Sequence, residues 1–135
     1  MMNTTDTSAL HDSVLISYRV DCERRTIVLV AEQRRSGNVS RTHVTFAGVE
    51  AYRLDDDAFG NIILELERIS SEALWNDERN YLQASHARSG AAPWAVSDAN
   101  ALDYLRKHQV EGFRLSASVG LSGWIFAREM TAAPE

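Results

Sequence analysis

The sequence is short of cysteine, proline and lysine, and each shortage excludes something. Cys22 is the single cysteine among 135 residues, so an internal disulfide framework is excluded. Two prolines and seven glycines rule out a collagen-like or Pro/Gly-rich low-complexity chain. Lys107 is the only lysine, and 14 basic against 19 acidic side chains leave a net charge of −5. Such a chain offers no strongly basic surface, which nucleic-acid binding through counterion release requires. The basic pairs Arg24-Arg25 and Arg34-Arg35 fall in turn-like stretches and read as solvated charge. No apolar run approaches the ~20 residues of a membrane span, so no membrane partner is expected. The opening MMNTTDTSALHD has neither the basic nor the apolar region of a secretory signal. With a lone thiol, that points to the cytoplasm.

What is present is ordinary for a globular chain: 44% hydrophobic and 24% charged residues. The length suits one domain, expected over residues 11–131 with polar tails at 1–10 and 132–135. Val14, Ile16, Tyr18, Val20 and Cys22 alternate with Leu15, Ser17, Arg19 and Asp21, the period of a half-buried strand with Cys22 on its apolar side. Residues 26–31 are apolar on both faces and read as a central strand. Residues 32–40 are polar and read as a loop. Thr42, Val44 and Phe46 start a third strand, Gly48 marks a bulge or bend, and Tyr52 and Leu54 resume the apolar phase. After the turn 55–61, Ile62, Leu64 and Leu66 alternate with Ile63, Glu65 and Glu67 in a fourth strand.

The period then lengthens. Ser70 or Ser71 caps a helix to about Ala87, and Gly90 and Pro93 stop it. Ser97 or Asp98 caps a second helix, with Lys107 and His108 in its last turn and Gly112 as its stop. Phe113 to Val119 and Trp124 to about Met130 form two more strands around the turn Gly120–Gly123. The order β-β-β-β-α-α-β-β marks an α+β fold: an antiparallel sheet of five or six strands with two helices on one face.

A constellation of catalytic groups does not emerge. His11, His43, His86 and His108 are scattered, without metal-ligand spacing. Asp55-Asp56-Asp57 with Gly60 in sixth place resembles the start of a calcium loop, but Phe59 and Leu66 stand where the fifth and twelfth ligands belong. The run reads as a solvated turn. Glu65 and Glu67 project from one outward strand face, and Gly120–Gly123 lacks the residues of a phosphate loop. Hence no catalytic, metal or cofactor residues are expected, and no cofactor. Trp75, Trp94 and Trp124 read as core, with Trp75, on a polar helix, also a candidate anchor for a partner.

Three segments, VTFAGVEAYRL (44–54), GNIILELERIS (60–70) and GFRLSASVGLSGWIFA (112–127), resemble small uncharacterised bacterial α+β proteins, some of them similar to immunity proteins. Immunity proteins neutralise a toxin by covering its active site. The resemblance implies a bacterial protein acting through its surface and carries over no residue roles. The expectation is therefore a non-enzymatic protein-binding module whose partner is a toxin or another copy of itself. Its contact residues would be the acidic Asp55, Asp56, Asp57, Asp77 and Glu78 with the aromatic Trp75. A homo-oligomer built through sheet edges or through Leu15, Val28 and Val30 is the alternative. A small-ligand protein or enzyme, needing a pocket around Tyr18, Tyr52, His43 or Glu65, is the second.

Overall fold

Alternation and capping place eight main elements in the computed structural model, which describes residues 7–135. They are β1 (Val14–Asp21), β2 (Thr26–Arg35), β3 (Asn38–Asp55), β4 (Asn61–Ile69), α1 (Ser71–Ser89), α2 (Asp98–Lys107), β5 (Glu111–Val119) and β6 (Ser122–Pro134). All strand pairs are antiparallel. The six-stranded antiparallel sheet with two helices is thus the α+β arrangement that the residue pattern implies. The sheet goes one step further and closes on itself in the order β1-β2-β3-β6-β5-β4. The closing seam is short, Val14 opposite Ile62 and Leu15 opposite Asn61.

Side chains fill the barrel. Ile27, Leu29, Val44, Phe46, Phe113 and Ile125 are fully buried in it, with Phe46 and Phe113 meeting edge to face at 5.2 Å. β6 serves two cores. Its Ile125 and Ala127 belong to the interior, whereas Trp124 and Phe126 join the helical layer on the outer wall. There they pack with Leu74, Trp75, Leu82, Trp94 and Leu105. Helix ends follow backbone chemistry. The Ser70 hydroxyl accepts the Ala73 N–H and the Ser97 hydroxyl accepts that of Asn100, while Gly90 closes α1 at φ +76°.

Several expectations are corrected. The loop read over residues 32–40 shrinks to Ser36-Gly37, both at positive φ, the tight turn that suits the twist of a hairpin. Gly112 does not stop α2. It lies in β5 opposite Phe126, where a Cβ would sit 3.1 Å from Ile69 and Leu74. Of the tail at 1–10, residues 1–6 lie outside the described residues, but residues 8–10 form a 3₁₀ turn that buries Leu10. The C-terminal tail is likewise largely strand: β6 runs to Pro134 and buries Ala132. A bulge at Ile16 reverses the phase of β1, so Leu15 enters the core and Ile16 faces outward. Irregular register between Ile62 and Glu65 does the same to β4, burying Ile63 and exposing Leu64. Cys22 is exposed in the β1–β2 turn rather than packed inside.

For Trp75 the core reading holds and the partner-anchor reading is corrected. Its side chain is 0% exposed, and its indole Nε1–H donates to Asp98 Oδ1 at 2.9 Å, tying α1 to the start of α2. It serves as a core tie and offers no surface to a partner. Trp75→Ala should cost about 3–5 kcal/mol, and Trp75→Phe, which deletes the hydrogen bond and some packing, about 1–2 kcal/mol. Urea unfolding followed by circular dichroism reads both.

Candidate functional site

Four of the acidic side chains expected at a contact surface occupy two separate places. Asp55, Asp56 and Asp57 lie at the β3–β4 connection, and Asp77 lies on α1, where its carboxylate accepts Arg114 of β5 at 2.9 Å. Glu78, also on α1, is half-buried. Among the described residues no ion pair or hydrogen bond joins the two groups.

The β3–β4 loop is held firmly. Asn61, buried at the start of β4, accepts the backbone N–H groups of Ala58 and Leu121 through Oδ1, both at 2.9 Å. Its Nδ2 donates to Asp57 Oδ1 at 2.9 Å. That carboxylate also accepts the Phe59 N–H, and the Tyr18 hydroxyl from β1. Gly120 makes room for this arrangement, since a Cβ there would run into the Asn61 carbonyl oxygen. The bonds from Asn61, from the Phe59 N–H and from Tyr18 hold the Asp57 carboxyl below the usual carboxylate range. Asp55 is exposed but engaged by Arg53 at 2.6 Å.

At the tip of this loop stands Phe59, 97% exposed and at φ +57°, a conformation that suits glycine and not a bulky side chain. Asp56 shares the strain at φ +68°. Sequence reading passed over Phe59 because alternation assigns no face to a turn. Its signal was a lone aromatic between Ala58 and Gly60 in a polar run.

The second site was not legible in advance. On β3 the register shifts between Val49 and Ala51, so Glu50 is the extra residue of a bulge. Its side chain is 3% exposed and surrounded by donors. The Tyr104 hydroxyl of α2 lies 3.2 Å from each carboxylate oxygen, Arg128 of β6 is at 2.9 Å, and Arg25 of the β1–β2 turn is at 3.5 Å. Beside this cluster a cleft of about 290 Å³ opens between the β1–β2 turn, β3 and α1. Tyr52, Tyr81 and Trp124 form its aromatic wall, and Arg25, Glu50, Cys22 and Ser85 its polar part. Of Tyr18, Tyr52, His43 and Glu65, only Tyr52 lines it.

Among the described residues the indole N–H groups of Trp94 and Trp124 have no hydrogen-bond partner. The rings around them are Tyr104, Tyr81 and Phe126, whose π faces are weak acceptors. A second buried acid, Glu32 on β2, is gripped by Arg34 and Arg41, which hold its carboxyl below the usual range. Among the described residues no three His, Cys, Asp or Glu side chains come together to hold a metal ion. Nor is any helix among them long and apolar enough to cross a membrane.

Comparison with family models, with curated proteins and with solved structures returns no match. The reading of function therefore stands on these two sites.

Two outcomes test the loop. Asn61→Ala leaves two backbone donors without their acceptor and should cost about 2–3 kcal/mol in chemical unfolding. Asp57 has its pKa lowered from 3.8 in the folded state, so its contribution is complete above that pH and is lost as the pH falls through the folded value. The gap in melting temperature between wild type and Asp57→Ala should be constant from pH 8 to pH 5 and narrow only below about pH 4.

Proposed function

We propose that this chain is a non-enzymatic protein-binding module that docks through the β3–β4 loop. The observation that carries the reading is Phe59: fully presented to solvent, at a strained backbone angle, on a loop locked by Asn61 and Asp57. Strain of order 1–3 kcal/mol persists where surrounding structure enforces it, and such positions cluster at binding and active sites. A rigid aromatic supplies contact area without an ordering cost on binding. Acidic Asp55, paired with Arg53, and Asp56 precede it in the same loop, on a chain of net charge −5. The matching partner is a protein with an apolar socket rimmed by Arg or Lys, steered in by the opposite charge. An immunity role, with that partner a toxin whose active site the loop covers, is the form this takes in line with the resemblance drawn from residues 44–54, 60–70 and 112–127.

Phe59→Gly separates binding from folding. Its melting temperature should equal or exceed that of wild type, because glycine accepts the positive φ. A basic protein captured by the immobilised wild-type chain should be retained at least tenfold less by this variant, as for an interface anchor. Equal retention by both would end the proposal.

One observation favours self-association as a second reading. Residues 17–21 of β1 have ladder partners on the β2 side alone among the described residues, and such an edge is a template for another strand. Leu15, by contrast, is buried in the core and Val28 and Val30 are half-buried, so that apolar face offers little. Sedimentation velocity at micromolar concentration showing a dimer that dissociates in Tyr18→Pro would support this reading; a monomer throughout would remove it.

A further inference from the structure

We propose that the cleft between the β1–β2 turn, β3 and α1 is a binding site for a small aromatic carboxylate. The argument begins with Glu50. Its two oxygens already receive Tyr104, Arg128 and Arg25, so it has little capacity left for a cationic ligand. The cluster holds two guanidinium groups against one carboxylate, which leaves one positive charge uncompensated. The spare charge sits on Arg25. It lies farther from Glu50 than Arg128 does, at 3.5 Å against 2.9 Å, and is 59% exposed. An incoming carboxylate can take Arg25 while Arg128 and Tyr104 keep Glu50 satisfied, so binding strands no buried charge. Asp21, the other acid lining the cleft, is occupied by the backbone N–H and the guanidinium of Arg24, at 2.9 and 4.0 Å.

The remainder of the cleft specifies the body of the ligand. Tyr52, Tyr81 and Trp124 offer ring surface, and Val20, Ile27 and Leu82 add apolar contact. Tyr81 is fixed from two sides, edge to face with Trp124 at 5.8 Å and beneath the Arg53 guanidinium at 4.2 Å. A volume of about 290 Å³ is at the small end of ligand clefts and suits a single ring. Backbone strain occurs here as well. Arg25 at φ +56° and Ala92 at φ +47°, two non-glycine residues at positive φ, both line the cleft.

Benzoate and phenylacetate are the probes, with benzamide and benzylamine as the neutral and cationic controls, read by tryptophan fluorescence and by thermal shift on the full chain. A carboxylate should bind saturably with a dissociation constant below about 1 mM, the scale for a ligand of this size. The controls should bind at least tenfold more weakly. Arg25→Gln should weaken carboxylate binding at least tenfold, and Ser85→Phe, which fills the cleft, should abolish it. Phe59→Gly should leave it unchanged, which keeps this site separate from the docking loop. No saturable carboxylate binding, preference for benzylamine, or equal binding by wild type and a folded Arg25→Gln each overturn the proposal.

Discussion

A six-stranded sheet can close into a barrel only if its strands bend, and the bend in β3 is what the rest of this structure depends on. β3 runs for 18 residues. It pairs with β2 as far as Phe46 opposite Ile27, and then continues with β6 alone. The change of direction falls on Gly48, at φ +61° with the Arg128 side chain packed across it, and on the bulge at Glu50. A bulge adds a residue and increases local twist, which is how strands turn barrel corners. Here the added residue is a carboxylate, thrown out of the barrel toward α2. Burying it unpaired would be prohibitive, so Tyr104, Arg128 and Arg25 converge on it. One local deformation thus sets the wall of the cleft, the contact between barrel and α2, and the start of the free run of β3 toward Phe59.

The two sites share a physical style. In each, a buried polar side chain with several partners fixes a stretch of strained backbone: Asn61 beneath Asp56 and Phe59, Glu50 beside Arg25. Of the non-glycine residues at positive φ, Arg25, Asp56, Phe59 and Ala92 belong to these two places. At the loop the bonds to Asn61 and Asp57 hold the backbone and leave the Phe59 side chain facing solvent, and at the cleft the buried Glu50 accepts from Tyr104 and Arg128 and pairs with Arg25 at the longer distance. That is the condition for a surface prepared in advance of its ligand.

Elements were far more legible in the sequence than faces were. Helix ends could be read because Ser70, Ser97 and Gly90 act on backbone atoms only a few residues away, and that chemistry is written locally. Six strands could be read because alternation survives in fragments. Their phases could not, because a bulge adds one residue without any mark in composition. Ile16 on β1, Glu50 on β3 and the irregularity between Ile62 and Glu65 on β4 each reverse what faces the core. Cys22 was assigned an inward phase by extending a strand that ends at Asp21. Closure itself rests on the β1–β4 seam, a pairing between residues almost fifty positions apart that no local signal records. Of the candidate contact residues, the acidic run was visible as charge. Phe59 and Glu50 were not, since exposure of one and burial of the other are decided by tertiary neighbours. Trp75 was read as core, and only its anchor reading failed, because the polar residues around it on α1 conceal that Asp98 receives its N–H.

The docking loop and the cleft lie along the same two strands, which raises the question of coupling. β3 supplies Tyr52 to the cleft and Asp55 to the loop; β1 supplies Val20 to the cleft and Tyr18 to Asp57. Shared strands alone transmit nothing, because a ligand shifts an equilibrium only where it distinguishes between two states. The loop is held by Asn61, which is bonded to Leu121 and anchored in β4, and the cleft is held by Glu50, which is bonded to β6 and α2. These two hydrogen-bond networks are separate; Tyr18 ties β1 to the loop, and Arg53 of β3 touches both places, pairing with Asp55 and lying over Tyr81. A barrel filled with interlocked side chains resists the continuous deformation that would connect them. The Arg53–Asp55 pair is solvent-exposed and such pairs contribute little, so the geometry favours largely independent surfaces on a common scaffold.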